Sequence, residues 1–287
     1  MAKDFIVAIE LGSSKITGIA GKKNPDGSIT VLAVAKEDSK ACMRKGVVYN
    51  IDKTAQALTN IINKLKGSLQ TDIARVYVGV GGQSLKGVKN VVVKDLPADS
   101  IVTQDIVNEL MDTNRNMKNN DYEVLDAITQ EYKVDMQDEL DPVGVQACHI
   151  EGNFLNLLWR KTFNRSLNKC FDNAGIPIAE MYVTPLAMAE EILTEAEKRA
   201  GCMLVDLGAD TTTVAIYTRD ILRHLFVLPL GSNNITKDLT TLKMEEREAE
   251  AMKLKYASAY TEVADIDDSM VWAIDSNRSV NSRLFID

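Results

Sequence analysis

The chain opens with an apolar run, a tight polar turn and a second apolar run. In "DFIVAIELGSSKITGIAG", residues 4 to 21, the segments ending at Leu11 and beginning at Ile16 read as two short strands joined through Gly12, Ser13, Ser14 and Lys15. "SITVLAVAKE" (28–37) supplies a third strand. "NIDKTAQALTNIINKLKGSL" (50–69) then spaces its apolar residues three and four apart, the period of an amphipathic helix. A further strand follows in "ARVYVGVGG" (74–82).

The same series of elements recurs far downstream. "LVDLGADTTTVAIY" (204–217) echoes "AIELGSSKITGIAG" (8–21), with Asp206 196 residues after Glu10 and the same offset aligning Leu207 with Leu11, Gly208 with Gly12 and Thr213 with Thr17. "ILRHLFVLPLG" (221–231) reads as the third strand, and "NNITKDLTTLKMEEREAEAMKLKYAS" (233–258) as the helix. Each half is therefore strand, strand, strand, helix, with a carboxylate and a glycine turn closing its first strand.

This repetition gives the turns a chemistry. A glycine-led turn lets backbone N–H groups approach a phosphate, and Ser and Thr hydroxyls add donors. Lys15 supplies a counter-charge. Carboxylates at both strand ends, Glu10 and Asp206, suit a hydrated Mg²⁺, which keeps several waters while bridging to a nucleotide. Each turn alone is also an ordinary hairpin turn, because Gly, Asp and Ser favour turns for local reasons. It is the matched pair that points to two units facing each other around phosphates.

Between the repeats the pattern changes. From Ser84 to about Asn156 come "KNVVVKDL", the charged helical stretch "TQDIVNELMDTNRNMK" and two strand candidates, "YEVLDAITQEYKV" and "VGVQACHIEGNF". These read as an inserted α+β subdomain. The spacing predicts a packing helix over 157–173, stopped near Gly175 and Pro177, and one helix over "TPLAMAEEILTEAEKR" with Thr184 as N-cap and Pro185 at N1. Trp159 and Phe163 are expected in the core. The expected divisions are 1–83, 84–156, 157–200 and 201–287.

Composition narrows the function classes. A chain of 287 residues that is 45% hydrophobic can build one large domain or two ordinary ones. A net charge of −8 argues against a nucleic-acid partner, which needs clustered Lys and Arg. Cys42, Cys148, Cys170 and Cys202 show neither zinc-ligand spacing nor a disulfide framework, so a reducing compartment is expected. His149 and His224 have no nucleophile partner in a recognisable motif and are assigned structural or surface roles. "GVGGQSLKG" (79–87) matches neither a Rossmann fingerprint, since Ser84 replaces the third glycine, nor a P-loop, since Val88 stands where Lys is required. No secretion signal is expected from the opening residues, and nowhere do 18 apolar residues run together.

The two hairpins resemble the phosphate 1 and phosphate 2 turns of the actin, heat-shock chaperone and sugar-kinase ATPase superfamily. Together with "VYVGVGGQSLKG", "QEYKVDMQDELDPVGVQACHIEG", "AGIPIAEMYVTPLAMAEEIL", "LPLGSNNITKDL" and "EAEAMKLKY", they are similar to the FtsA family of bacterial cell-division proteins over nearly the whole chain. The resemblance implies an α/β actin-like (ribonuclease H-like) fold. Its β-β-β-α-β-α lobes are duplicated, and residues 84–156 form the inserted subdomain 1C. Residues 1–83 and 157–200 would make subdomain 1A, with a crossing helix beneath the cleft, and 201–287 subdomain 2A with part of 2B.

It further implies that ATP with Mg²⁺ is the cofactor. Gly12, Ser13, Ser14, Lys15, Gly208, Ala209, Asp210, Thr211, Thr212, Gly231 and Ser232 would line the phosphates, Glu250 and Lys253 the ribose or adenine, and Glu10 and Asp206 would serve the metal and the chemistry. Implied partners are FtsZ, other divisome proteins and further copies of the chain in protofilaments, at the inner face of the membrane at the division site. Relatives continue past residue 287 with a glycine-rich adenosine motif and a C-terminal amphipathic helix, through which membrane contact is expected.

Four positions depart from the family pattern. Glu10 stands for Asp, Asp210 for Gly, and Ser232 and Ala257 for glycines. Thr184 occupies the place before the proline where chaperone relatives carry a water-positioning Glu, so hydrolysis is expected to be weak at most. The alternatives are a pilus-assembly platform ATPase, a small-molecule kinase of the same fold, or an interaction module that binds no nucleotide.

Overall fold

The computed structural model describes residues 5–257 and 270–281. In chain order the first segment contains β1 (Ile6–Leu11), β2 (Lys15–Lys23), β3 (Ile29–Asp38), the short strands β4 (Met43–Arg44) and β5 (Val47–Val48), α1 (Ile51–Leu69) and β6 (Val76–Val80). Next come β7 (Lys86–Ile101), α2 (Gln104–Arg115), β8 (Tyr122–Val134), β9 (Gln137–Glu139), β10 (Gln146–Arg160), α3 (Lys161–Ala174), β11 (Ile178–Val183), α4 (Thr184–Ile192) and α5 (Glu195–Ala200). β12 (Cys202–Leu207), β13 (Thr212–Thr218), β14 (Ile221–Leu228), α6 (Ser232–Thr240), α7 (Glu246–Tyr256), β15 (Val271–Ala273) and β16 (Ser279–Asn281) complete the described elements.

Three sheets carry the architecture. The first has the order β11-β6-β1-β2-β3, with β1 antiparallel to β2 and parallel to β6. The inserted sheet runs β7-β10-β8-β9 and the third β12-β13-β14, both through antiparallel pairs. Helix α1 covers the first sheet because its apolar stripe is continuous: Leu58, Ile61 and Leu65 are fully buried with Ile9, Ile16 and Val78. Burying each such side chain stabilises the fold by roughly 1.5–3 kcal/mol. The Asn50 side chain caps α1 by accepting from the Lys53 N–H at 3.0 Å. A second cluster joins Leu85, Leu155 and Leu157 of the inserted region to Ala215, Leu222 and Leu225 of the third sheet. A third lies inside the insertion, under α2, around Leu110, Ile150 and Phe154.

The chain divides into two compact units, Met1–Pro229 and Leu230–Asp287. The second holds α6, α7 and the β15–β16 hairpin around Leu239, Met244, Ala249, Met252 and Val280.

Three expected helices differ. Residues 157–160 belong to β10, paired with Asp126, Val124, Glu123 and Tyr122 of β8. A register shift between Leu157 and Leu158 buries consecutive residues, which erases the alternation that marks a strand. The segment 184–199 is two helices rather than one, because Thr194 and Glu197 form a capping box that restarts the chain as α5. Thr184 itself is the first helical residue, with Val183 in the cap position and no side-chain cap. The segment 233–258 likewise breaks between Thr240 and Glu246, where the Glu245 N–H donates to the Glu248 carboxylate at 2.9 Å. The sequence stretch from 258 to 269 lies outside the described residues.

Candidate functional site

The two hairpin turns repeat each other in geometry as they do in sequence. In the first, Glu10 pairs with Thr17 and the Gly12 N–H donates to the Lys15 carbonyl at 3.1 Å. In the second, Asp206 pairs with Thr213 and the Gly208 N–H donates to the Thr211 carbonyl at 2.9 Å. A Cβ at Gly12 would stand 2.7 Å from Lys15 O, and one at Gly208 2.7 Å from Thr211 O. Only glycine lets the chain pass so close. Ala209 and Asp210 complete the second turn, and Thr212 begins β13.

The turns lie near enough for their carboxylates to interact. Crowding by protein atoms, then the negative charge of Asp206, raise the Glu10 carboxyl above its ordinary value of 4.5, with Lys15 partly offsetting them. Glu10 curls back over its own turn, its two oxygens 3.3 and 3.4 Å from where a Gly12 Cβ would be. Burial raises Asp206 above 3.8. Two neighbouring carboxylates, each pushed up mainly by burial, are suited to a divalent cation that would compensate their charge. Mg²⁺ needs only one or two carboxylates when waters and phosphates complete its shell. Among the described residues no group of three or more His, Cys, Asp or Glu is arranged to hold a metal ion. The pair therefore fits a hydrated ion and not an all-protein cage.

A third piece closes the arrangement. Between β4 and β5, the Gly46 N–H donates to Ser13 Oγ at 2.7 Å and the Lys45 N–H to Asp210 Oδ2 at 3.0 Å, so one loop touches both turns. The loop is held in turn by Gly82: both glycines have positive φ, +71° and +78°, and a Cβ on either would lie 2.5 Å from the other's Cα. Ser39, fully buried, donates its hydroxyl to Gly12 O at 2.7 Å and its N–H to Ser14 O at 3.2 Å. The sequence reading missed Ser39, Lys45, Gly46 and Gly82. The available signal was Gly81–Gly82 itself, which is a packing surface rather than a failed nucleotide motif.

Thr184 shares a cavity of about 370 Å³ with Glu10, Thr17 and Gly79, floored by Ala187 and Met188. Its hydroxyl can orient a water but is no general base. In the second unit, buried Lys253 is ion-paired with Glu250 at 2.8 Å and donates to Thr236 Oγ1 at 2.9 Å and Ser232 O at 3.2 Å. Gly231 N–H donates to Asn234 Oδ1 at 3.1 Å. Ser232, Glu250 and Lys253 thus come together in a cluster whose polar groups bond to one another.

These paired sheets and turns place the protein in the actin-like ATPase fold class. The fold superposes on a chain of the PilM–PilN type IV pilus biogenesis complex with a TM-score of 0.61, at 16% identity over 88% of this chain and 69% of that one. It also superposes on MreB5 of Spiroplasma citri bound to ADP, with a TM-score of 0.51 at 10% identity over 98% and 72%. The family model "Cell division protein FtsA" matches residues 203–283, and that of the SHS2 domain inserted in FtsA matches 82–158. The chain is 34% identical over 254 residues to the cell division protein FtsA of Porphyromonas gingivalis, and 29% identical over 258 residues to that of Neisseria meningitidis. The alignments cover 87% and 89% of this chain but 53% and 62% of those relatives. The chain belongs to the FtsA family.

Proposed function

We propose that this chain binds ATP with Mg²⁺ between its two hairpin turns and serves cell division as an actin-like scaffold. In this reading it self-associates and links the FtsZ ring to the membrane and the divisome at the cytoplasmic face of the division site. What supports the nucleotide part is the juxtaposition of two turns closed by the same glycine N–H to carbonyl bond, with the charge of Asp206 reaching the Glu10 carboxyl. The backbone amides of both turns and the hydroxyls of Ser13, Ser14, Thr211 and Thr212 would receive the phosphates. Lys15 would balance their charge, and Glu10 and Asp206 would hold the metal through water. The division role rests on family membership. Thr184 in place of a carboxylate makes hydrolysis slow or absent, so that ATP acts as a ligand selecting one arrangement of the lobes.

Calorimetric titration with Mg·ATP tests the nucleotide part: wild type should bind, and Asp206→Asn should lose the Mg²⁺-dependent share of affinity. Co-sedimentation with polymerised FtsZ tests the division part, and no co-sedimentation would remove it. One observation favours a second reading, an interaction module without nucleotide. The Asp210 carboxylate already occupies the Lys45 amide, a donor that faces the phosphate turns.

A further inference from the structure

We infer that a cavity of about 400 Å³ beside the first turn of α3, apart from the hairpin turns, is a binding site for a phosphate group, carried free or on a small phosphomonoester. The cavity is lined by Gln83, Ser84, Arg160, Thr162 and Ser166, with an apolar wall from β5 and Phe163. Ser84 is 3% exposed, and its buried hydroxyl is the one buried side-chain polar atom without a hydrogen-bond partner among the described residues. An unpaired buried hydroxyl is costly, and a ligand oxygen in the cavity relieves it.

The rest of the lining points to an anion. α3 is 14 residues long, no side chain caps its N-terminus, and its first turn carries no acidic residue. Thr162 and Phe163, the second and third helical residues, both line the cavity, so the positive end of the helix borders it, although the Lys161 N–H is taken by the Asp121 carbonyl at 2.9 Å. Arg160, at the cap position, adds a guanidinium suited to phosphate oxygens. A second cation stands close by: Lys86 and Arg160 both lie over the Tyr122 ring, 3.6 and 5.8 Å from its centroid. No Asp or Glu lines the cavity. Glu123, which reaches α3 one turn along, is bonded to the Asn164 amide. Three hydroxyls, an amide, a guanidinium and a helix end make a donor set that calls for a compact ligand with several acceptor oxygens. The volume leaves room for a short organic tail.

The test is titration of the whole chain with inorganic phosphate and with glycerol 3-phosphate, without Mg²⁺ or nucleotide, at ionic strength held constant with chloride. Binding is read by calorimetry and by the thermal midpoint. Wild type should show saturable binding and a rising midpoint. Arg160→Gln and Ser84→Ala should each weaken that binding at least tenfold. Without ligand, Ser84→Ala should melt at or above wild type, because it removes an unpaired hydroxyl, whereas a lower midpoint would overturn the proposal. Tighter binding of glycerol 3-phosphate supports the site with a monoester as occupant, and the reverse order supports it with the free ion. Equal responses to phosphate and chloride would overturn it, as would saturable binding unchanged in both variants, which would place the anion at the hairpins. Arg160 is exposed, so its variant keeps the test open should Ser84→Ala misfold.

Discussion

At the residue scale, Asp210 decides how the proposed nucleotide site behaves. Its carboxylate accepts the Lys45 N–H, a hydrogen bond to a charged group worth about 1.5–3 kcal/mol, and it puts a negative charge where phosphates would lie. Asp210→Gly should therefore lower the stability of the nucleotide-free chain by about that amount while raising ATP affinity tenfold or more, checked by thermal melts and calorimetric titration. Stability lost with no gain in affinity would leave the clasp without a role in nucleotide binding. Glu10 yields a prediction in pH. Its folded-state pKa is raised, so its contribution to stability is fully present below the ordinary value of 4.5 and is lost as pH rises through the raised value. Glu37 and Glu248 slope the other way, because a bond from Lys64 and a backbone N–H hold their carboxyls low. The difference between Glu10→Gln and wild type isolates the one group: the variant should gain in relative stability from about pH 4 to about pH 7. A flat difference curve would remove both the burial of Glu10 and its repulsion by Asp206 from the account. Glu10 and Asp206 were legible because a repeated pattern singled them out. Ser39 and Lys45 were not, since their partners lie 27 and 165 residues away and neither sits in any periodic pattern.

At the element scale, the loop between β4 and β5 gains its place from two glycines. A residue with positive φ and a Cβ 2.5 Å from another backbone is strained twice over, so Gly82→Ala should cost at least about 1–3 kcal/mol and displace Lys45 and Gly46 from both turns. Measured ATP affinity should fall with it, whereas Asn50→Ala, which only uncaps α1, should cost about 1 kcal/mol and leave affinity unchanged. Equal effects of the two on affinity would show that global stability, not the loop, governs binding. Element order was readable because most strands keep one open face and α1 keeps a clean stripe. The misread boundaries have local causes. The strand residues 157–159 are apolar on both faces near a bulge, and that run fits a helix as well as a strand. The break before α5 was written in the sequence as the Thr194-to-Glu197 capping pair, but the apolar period on either side hid it.

At the scale of the whole molecule, the inserted sheet is not an appendage. Gln130 of β8 donates its buried amide to the Leu222 carbonyl of β14 at 2.8 Å, and Arg223 of β14 reaches Glu131 at 3.3 Å. A Cβ at Gly87 would stand 2.8 Å from Leu225 O, so the backbones of β7 and β14 approach directly. With Leu155 and Leu157 packed on Leu222 and Leu225, the insertion and the sheet carrying the second hairpin share one core. Leu157 is fully buried in that shared cluster, and Leu157→Ala should cost about 2–5 kcal/mol. Ile150 belongs to the separate cluster within the insertion, and Ile150→Ala removes a similar volume there. Hydrogen exchange should separate the two. Leu157→Ala should deprotect the amides of both β8 and β13, while Ile150→Ala should open β8 and leave β13 protected. If both variants open β8 alone, the shared core does not couple the insertion to the second hairpin, and events at the inserted subdomain have no packed route to the hairpin turns.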